Sequence, residues 1–145
     1  MSAKMRQQLE SGKIAGSPYS QHLGIRYCSV GEGTAHLQLS TADHTRNFNG
    51  VTHGGALFSL ADAAMGVALF SQTPEGLSTA TLESKINFTR PLHEGTVDCF
   101  SEVLHLGSRT AVLEARLEQE GLLIAKASAT FALITPKDLR PADKT

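Results

Sequence analysis

The chain has 145 residues, enough for one domain with a real core, and its 41% hydrophobic and 19% charged content is that of an ordinary globular protein. A formal net charge of -1 gives no electrostatic footprint for nucleic acid or an anionic membrane, so neither is expected as a partner. Cys28 and Cys99 lie far apart and form neither a zinc spacing nor a disulfide framework; with a polar N-terminus that lacks a signal-peptide core, a cytoplasmic location is expected.

In chain order, residues 2–12 read as a short, partly amphipathic helix ended by Gly12 or Gly16, and Ser17-Pro18 as a turn leading into a helical turn over 19–23. The period then changes. Residues 24–30 and 34–40 alternate in strand fashion around the turn Gly31-Glu32-Gly33, which predicts a hairpin. Residues 41–52 are polar and rich in Asn, Asp and His, a loop that delivers the chain to the next element. The run from Ala56 to Phe70 has only Ser59 and Asp62 as polar side chains. Its length suits a helix of about four turns and is too short to span a membrane. Being apolar on nearly every side, it is expected to be enclosed by other structure.

After Pro74 and Gly76 four further strands are predicted, over 78–89, 96–106, 110–118 and 122–134, with short connectors suited to antiparallel neighbours. In the first of them strict alternation puts Leu82, Ser84, Ile86 and Phe88 on one face and Thr81, Glu83, Lys85 and Asn87 on the other. The fold class is therefore α+β, a curved antiparallel sheet of about six strands around one central apolar helix. Its free edges suit pairing with a second chain. The expected division is an N-terminal helical extension over 1–16, the main domain over 17–135 and a flexible tail over 136–145.

Asp62 is the chemically conspicuous residue. It lies in an apolar helix with no basic residue at Phe58, Ser59, Met65 or Gly66, and burying an unpaired carboxylate is costly. Such a group has either a partner elsewhere in the assembly or a catalytic role. At the start of the same helix, Gly54 and Gly55 offer N–H groups and the positive end of the helix dipole to a developing oxyanion. Their missing side chains let a substrate carbonyl approach. These residues also have plainer readings: His53 as a cap, Asn47 as a turn residue, Thr81 as a strand threonine, and the glycines as makers of the turn.

Asn47 six residues before His53, the phrase Gly55-Ala56-Leu57-Phe58-Ser59-Leu60-Ala61-Asp62 and the Arg90-Pro91 that closes the next strand together resemble the hotdog-fold acyl-CoA thioesterases. The likeness is closest to the PaaI-like branch, of the phenylacetic acid degradation and thioesterase superfamily member 2 type, and covers about 17–134. It implies hydrolysis of an acyl-CoA thioester, its acyl group either aryl-acetyl or a medium or long chain, to free acid and CoA, with Asp62 as general base or nucleophile and Gly54 N–H polarising the carbonyl. It further implies that His53 is the motif histidine and Asn47 the loop asparagine, and that Thr81 helps place the attacking water. Gly55, Arg90, Ser108 and Arg109 fall where relatives contact substrate or the CoA phosphates, and Arg suits phosphate.

Gly54 and Asp62 are separated by about 12 Å along one helix, too far for one carbonyl to meet both. The site is therefore expected to combine Gly54 of one chain with Asp62 of another, in a homodimer or a homotetramer made of two dimers. The remaining histidines, His22, His36, His44, His93 and His105, show no ligand spacing, so neither metal nor cofactor is expected. Two other functions share this fold: a non-catalytic acyl-CoA-binding module, and a hydratase or dehydratase acting on acyl thioesters.

Overall fold

The computed structural model describes residues 1–13 and 16–140. Two short helices come first, α1 (Ala3–Glu10) and α2 (Pro18–Leu23), followed by the hairpin β1 (Arg26–Val30) and β2 (Thr34–Ser40). The 17-residue helix α3 (Gly54–Phe70) precedes β3 (Ser78–Phe88), β4 (Thr96–Leu106), β5 (Thr110–Gln119) and β6 (Leu122–Ile134). Local chemistry sets several of these boundaries. Ser2 and Ser17 cap α1 and α2 with their hydroxyls, Pro18 opens α2, and Gly24 ends α2 in the left-handed region at φ 80°. The segment expected as a flexible tail begins as a short 3-10 turn over Pro136–Leu139, and residues 141–145 lie outside the described residues.

The six strands form one antiparallel sheet in the order β1-β2-β4-β5-β6-β3. Helix α3 packs on the inner face of this sheet, from Phe88 at the end of β3, beside its first residue, to the β1–β2 turn, where the Gly33 N–H donates to Ser71 Oγ just past its last residue. The expected α+β architecture is the observed one. Alternation explains the core: Leu37 and Leu39, Val97 and Cys99, Leu113 and Leu117 all point inward and meet Leu60, Met65 and Leu69 of α3, each fully buried. Burying each such aliphatic side chain contributes roughly 1.5–3 kcal/mol. The buried Ser101 hydroxyl on β4 donates to the Ala64 carbonyl of α3 at 2.8 Å, a polar tie between sheet and helix.

Helix α3 is not enclosed on all sides. Its face made by Leu57, Leu60, Ala61, Ala64, Met65, Ala68 and Leu69 is buried. The opposite stripe, which carries Phe58, Ser59, Asp62, Ala63, Gly66, Val67 and Phe70, is half-buried. A single curved sheet covers only one side of a helix, so an all-apolar helix leaves an apolar stripe looking outward.

β3 departs from strict alternation. Its pairing with β6 shifts register between Thr81 and Glu83, with Leu82 as the extra residue of a bulge. The bulge brings Thr81 onto the helix side together with Ser84, where alternation alone would put them on opposite faces. β3 is also a sheet edge on which no residue is buried, and Leu82 and Phe88 are 60% and 50% exposed. The other edge, β1, is partly covered by α1, whose Glu10 carboxylate accepts from the Val30 N–H at 2.8 Å.

Candidate active site

The loop before α3 is held by its own polar groups. Arg46 donates to the Gly50 carbonyl at 2.7 Å and pairs with Glu94 at 2.5 Å, and the hydrogen bond to Glu94 raises the pKa of its guanidinium. Asn47 Oδ1 accepts from the Asn49 and Val51 N–H groups at 2.9 and 3.3 Å, an Asx turn that commits this oxygen to the loop. His53 N–H donates to the Thr45 carbonyl at 2.7 Å, which anchors the chain at the residue that caps α3.

That cap distributes the first donors of the helix unevenly. His53 Nδ1 accepts from Gly55 N–H at 2.8 Å, so in neutral His53 the ring proton sits on Nε2. The His53 carbonyl takes Ala56 N–H and Leu57 N–H at 2.9 and 3.3 Å. Gly54 N–H is left without an acceptor among the described residues. Gly54 lines a cleft of ≈ 380 Å³ together with Asn47, Phe88 and Arg90. A Cβ on Gly54 would stand 3.1 Å from Phe88 Cζ, tighter than ordinary contact.

Two turns along the helix, Asp62 does have a partner within its own chain. Thr81 Oγ1 donates to Asp62 Oδ1 at 2.7 Å, so the threonine that the family resemblance associates with the attacking water stands beside the acid of its own chain. The bulge at Leu82 makes this contact geometrically available. Asp62 and Thr81 line a second and larger cavity, ≈ 850 Å³, with Phe58, Val67, Phe70 and Phe131 among its apolar walls. Phe58 lines it, whereas Met65 of the same helix is fully buried in the core and Phe88 stands beside Gly54.

The expected site residues thus fall into separate groups. Asn47, His53, Gly54 and Gly55 gather at the start of α3 with Arg90 nearby, whereas Asp62 and Thr81 share the larger cavity. Ser108 and Arg109, both exposed, sit in the β4–β5 turn, where the Arg109 carbonyl accepts from Leu133 N–H. Leu133 pairs with Thr79 and Phe88 with Ala125, so Arg109 and Arg90 stand at opposite ends of the sheet, roughly 30 Å apart along β3. Two residues not singled out from sequence also belong here. Tyr19 on α2 gives its hydroxyl to Ser59 Oγ at 2.8 Å, and Ser59 in turn donates to the Gly55 carbonyl at 2.8 Å. Ser59 back-bonding four residues along the helix was a readable signal, but its tie to Tyr19, forty residues away, was not.

Other reactive groups lie elsewhere. Cys99 is buried in the core, where desolvation pushes its thiol up to about 12, so it carries no thiolate at neutral pH. Among the described residues no three His, Cys, Asp or Glu side chains converge on a metal-sized site. Among the described residues no helix is long and apolar enough to cross a membrane.

Comparison with known proteins agrees with this architecture. The thioesterase superfamily profile matches residues 49–125, which contain the His53-Gly54-Gly55 turn, Asp62 and Thr81. The acyl-coenzyme A thioesterase PaaI of Escherichia coli strain K12 is 35% identical over 96 residues, covering 66% of this chain and 66% of its own length. The solved structure of the E. coli PaaI protein from the phenylacetic acid degradation operon superposes with a TM-score of 0.79 at 28% identity, covering 91% of this chain and 95% of that one. A conserved Pseudomonas aeruginosa protein superposes with a TM-score of 0.81 at 43% identity, covering 89% and 98%.

Proposed function

Because the chain belongs to the thioesterase superfamily, in its PaaI-like hotdog branch, we propose that it hydrolyses the thioester of an acyl-CoA to the free acid and CoA, in a site shared by two copies. The observation that carries this reading is the division of labour along α3. A free Gly54 N–H stands at the helix start and a Thr81-held carboxylate at Asp62, in two different clefts. Neither cleft alone holds both an oxyanion donor and a base.

Pairing two β3 edges about a two-fold axis resolves this. An axis near Ser84 and Lys85 sets the Phe88 end of one strand against the Thr81 end of the other, since these residues lie at similar distances from it. Gly54, which packs on Phe88, then approaches the acid of the second chain. The same axis brings Arg90 of one chain to the sheet end that carries Arg109 of the other, and the two arginines frame an entrance suited to CoA phosphates.

In this site Gly54 N–H and the α3 dipole stabilise the oxyanion. Thr81 orients Asp62 through Oδ1, and the other carboxylate oxygen acts on the attacking water as general base. His53 and Asn47 are positioning residues that hold the loop and the first turn of α3 in the shape that leaves Gly54 N–H free.

The test is thiol release from a panel of acyl-CoAs. Wild-type turnover that collapses in Asp62→Asn supports the proposal; turnover indifferent to Asp62 sinks it. Single turnover in labelled water separates the routes, because label recovered in the Asp62 side chain marks direct carboxylate attack in place of base catalysis.

A further inference from the structure

The larger cavity extends well past Asp62 and changes character on the way. Near the carboxylate it is polar, with Thr81, Ser84, Ser59 and Tyr19 on its walls. Towards Phe70, about 12 Å further along the helix axis, its α3 side is Ala63, Gly66, Val67 and Phe70. There it is bounded by α1, through Met5 and Leu9.

Resting on the thioesterase reading above, we propose that α1 is the closing wall of an acyl subsite that Gly66 keeps open, and that this subsite takes extended, flexible aliphatic chains in preference to a compact aryl-acetyl group. At ≈ 850 Å³ the cavity lies in the upper part of the range of drug-sized ligand sites, about 300–1,000 Å³, and one ring with one methylene would fill little of it. A polar end at the reacting carbonyl and a long apolar end match a thioester with an alkyl tail.

Gly66 supplies independent support. A glycine in a helix interior weakens the helix relative to alanine because it has more conformational freedom to lose. Nothing in the packing demands it: a Cβ there would meet only Phe131 Cε1, at an ordinary 3.7 Å, and its φ lies outside the left-handed region. What the missing side chain does provide is room, because Gly66 and Phe131 both line the cavity.

The wall itself is anchored and adaptable at once. Leu9 is buried and Glu10 is bonded to Val30 N–H, which fix the C-terminal end of α1 against β1. One turn earlier Met5 is 37% exposed, and an unbranched thioether adjusts readily to chains of different length.

The experiment compares kcat/KM for butyryl-, octanoyl-, dodecanoyl- and phenylacetyl-CoA in the wild-type chain, Gly66→Leu, Met5→Trp and Met5→Ala. The wild type is expected to favour octanoyl- and dodecanoyl- over phenylacetyl-CoA. Filling the subsite with Gly66→Leu or Met5→Trp is expected to lower the dodecanoyl-to-butyryl ratio about tenfold or more, and Met5→Ala to shift the profile towards longer chains. Should Gly66→Leu fail to fold, the two Met5 variants at the half-exposed wall still read the same ratio. A ratio that stays put in the folded variants, or a wild type that prefers phenylacetyl-CoA, overturns the subsite while Asp62-dependent turnover keeps the thioesterase reading. Absence of thiol release from every substrate overturns that reading itself.

Discussion

Thr81 on the edge strand donates its hydroxyl to Asp62 Oδ1 on the central helix at 2.7 Å, and this bond depends on the extra residue, Leu82, that bulges β3. It holds one carboxylate oxygen and leaves the other to act. Asp62→Asn preserves an acceptor for Thr81, so the variant should fold and assemble normally while kcat falls by about 10²–10⁴, the usual worth of a positioned base. Thr81→Val, which removes only the orienting bond, should cost less. Circular dichroism and thiol release measured on the same samples decide it, and an Asp62→Asn enzyme within tenfold of wild type would refute the assignment.

The free N–H of Gly54 can be tested apart from its missing side chain. Gly54 is the first residue of α3, where proline is tolerated, and His53 at φ -60° and ψ 135° already has the conformation that proline demands of its predecessor. Gly54→Ala and Gly54→Pro both push a Cβ towards Phe88, but only proline deletes the donor. Gly54→Pro should therefore lose about 10²–10³ in kcat beyond the loss in Gly54→Ala, with closely similar melting temperatures. Equal activity in the two variants would remove Gly54 N–H from the mechanism.

Much of this was legible in the chain, and the reasons are physical. Strand alternation and the uninterrupted apolar run mark the order of elements because inward and outward positions differ in polarity. The bulge at Leu82 was hidden, because it leaves no mark in the alternating pattern of β3; the family resemblance associates Thr81 with the acid, but alternation alone sets it on the face opposite Ser84. The half-open face of α3 was misread for a related reason: Phe58, Val67 and Phe70 are as apolar as the buried Leu57 and Leu69, so composition alone cannot say which stripe the sheet covers. Met5 and Leu9 gave no hint of their cavity, since only the packing of α1 on β1 brings them to it.

Asp98 offers a pH signature away from the site. Desolvation acts to raise its pKa, but it is outweighed by hydrogen bonds from Gln38 Nε2 at 2.6 Å and His36 Nε2 at 2.7 Å and by the charges of His36 and Arg26, so the folded value lies below the ordinary one. A carboxyl with a depressed folded pKa stabilises the fold above its unfolded pKa, near 3.9, and loses that contribution as pH falls through the folded value. Asp98→Asn should therefore be less stable than wild type at neutral pH, with the gap closing as urea denaturation is repeated at progressively more acidic pH. A gap that is constant or widens on acidification would contradict the assigned shift.

The shared site makes a quantitative prediction through subunit mixing. Asp62→Asn and Gly54→Pro each spoil both sites of a homodimer, because every site needs one Gly54 and one Asp62. In a heterodimer of the two variants, one site inherits both defects and the other inherits neither. Random assembly after co-expression makes about half of the dimers mixed, so the preparation should recover about a quarter of wild-type activity, although each parent alone is nearly inactive. A site built within one chain would give no recovery above the parents at any mixing ratio. The same measurement probes the β3 edge: Ser84→Pro, which puts a ring and a missing donor on the side of that strand that faces away from β6, should reduce self-association in sedimentation and abolish the recovery with it.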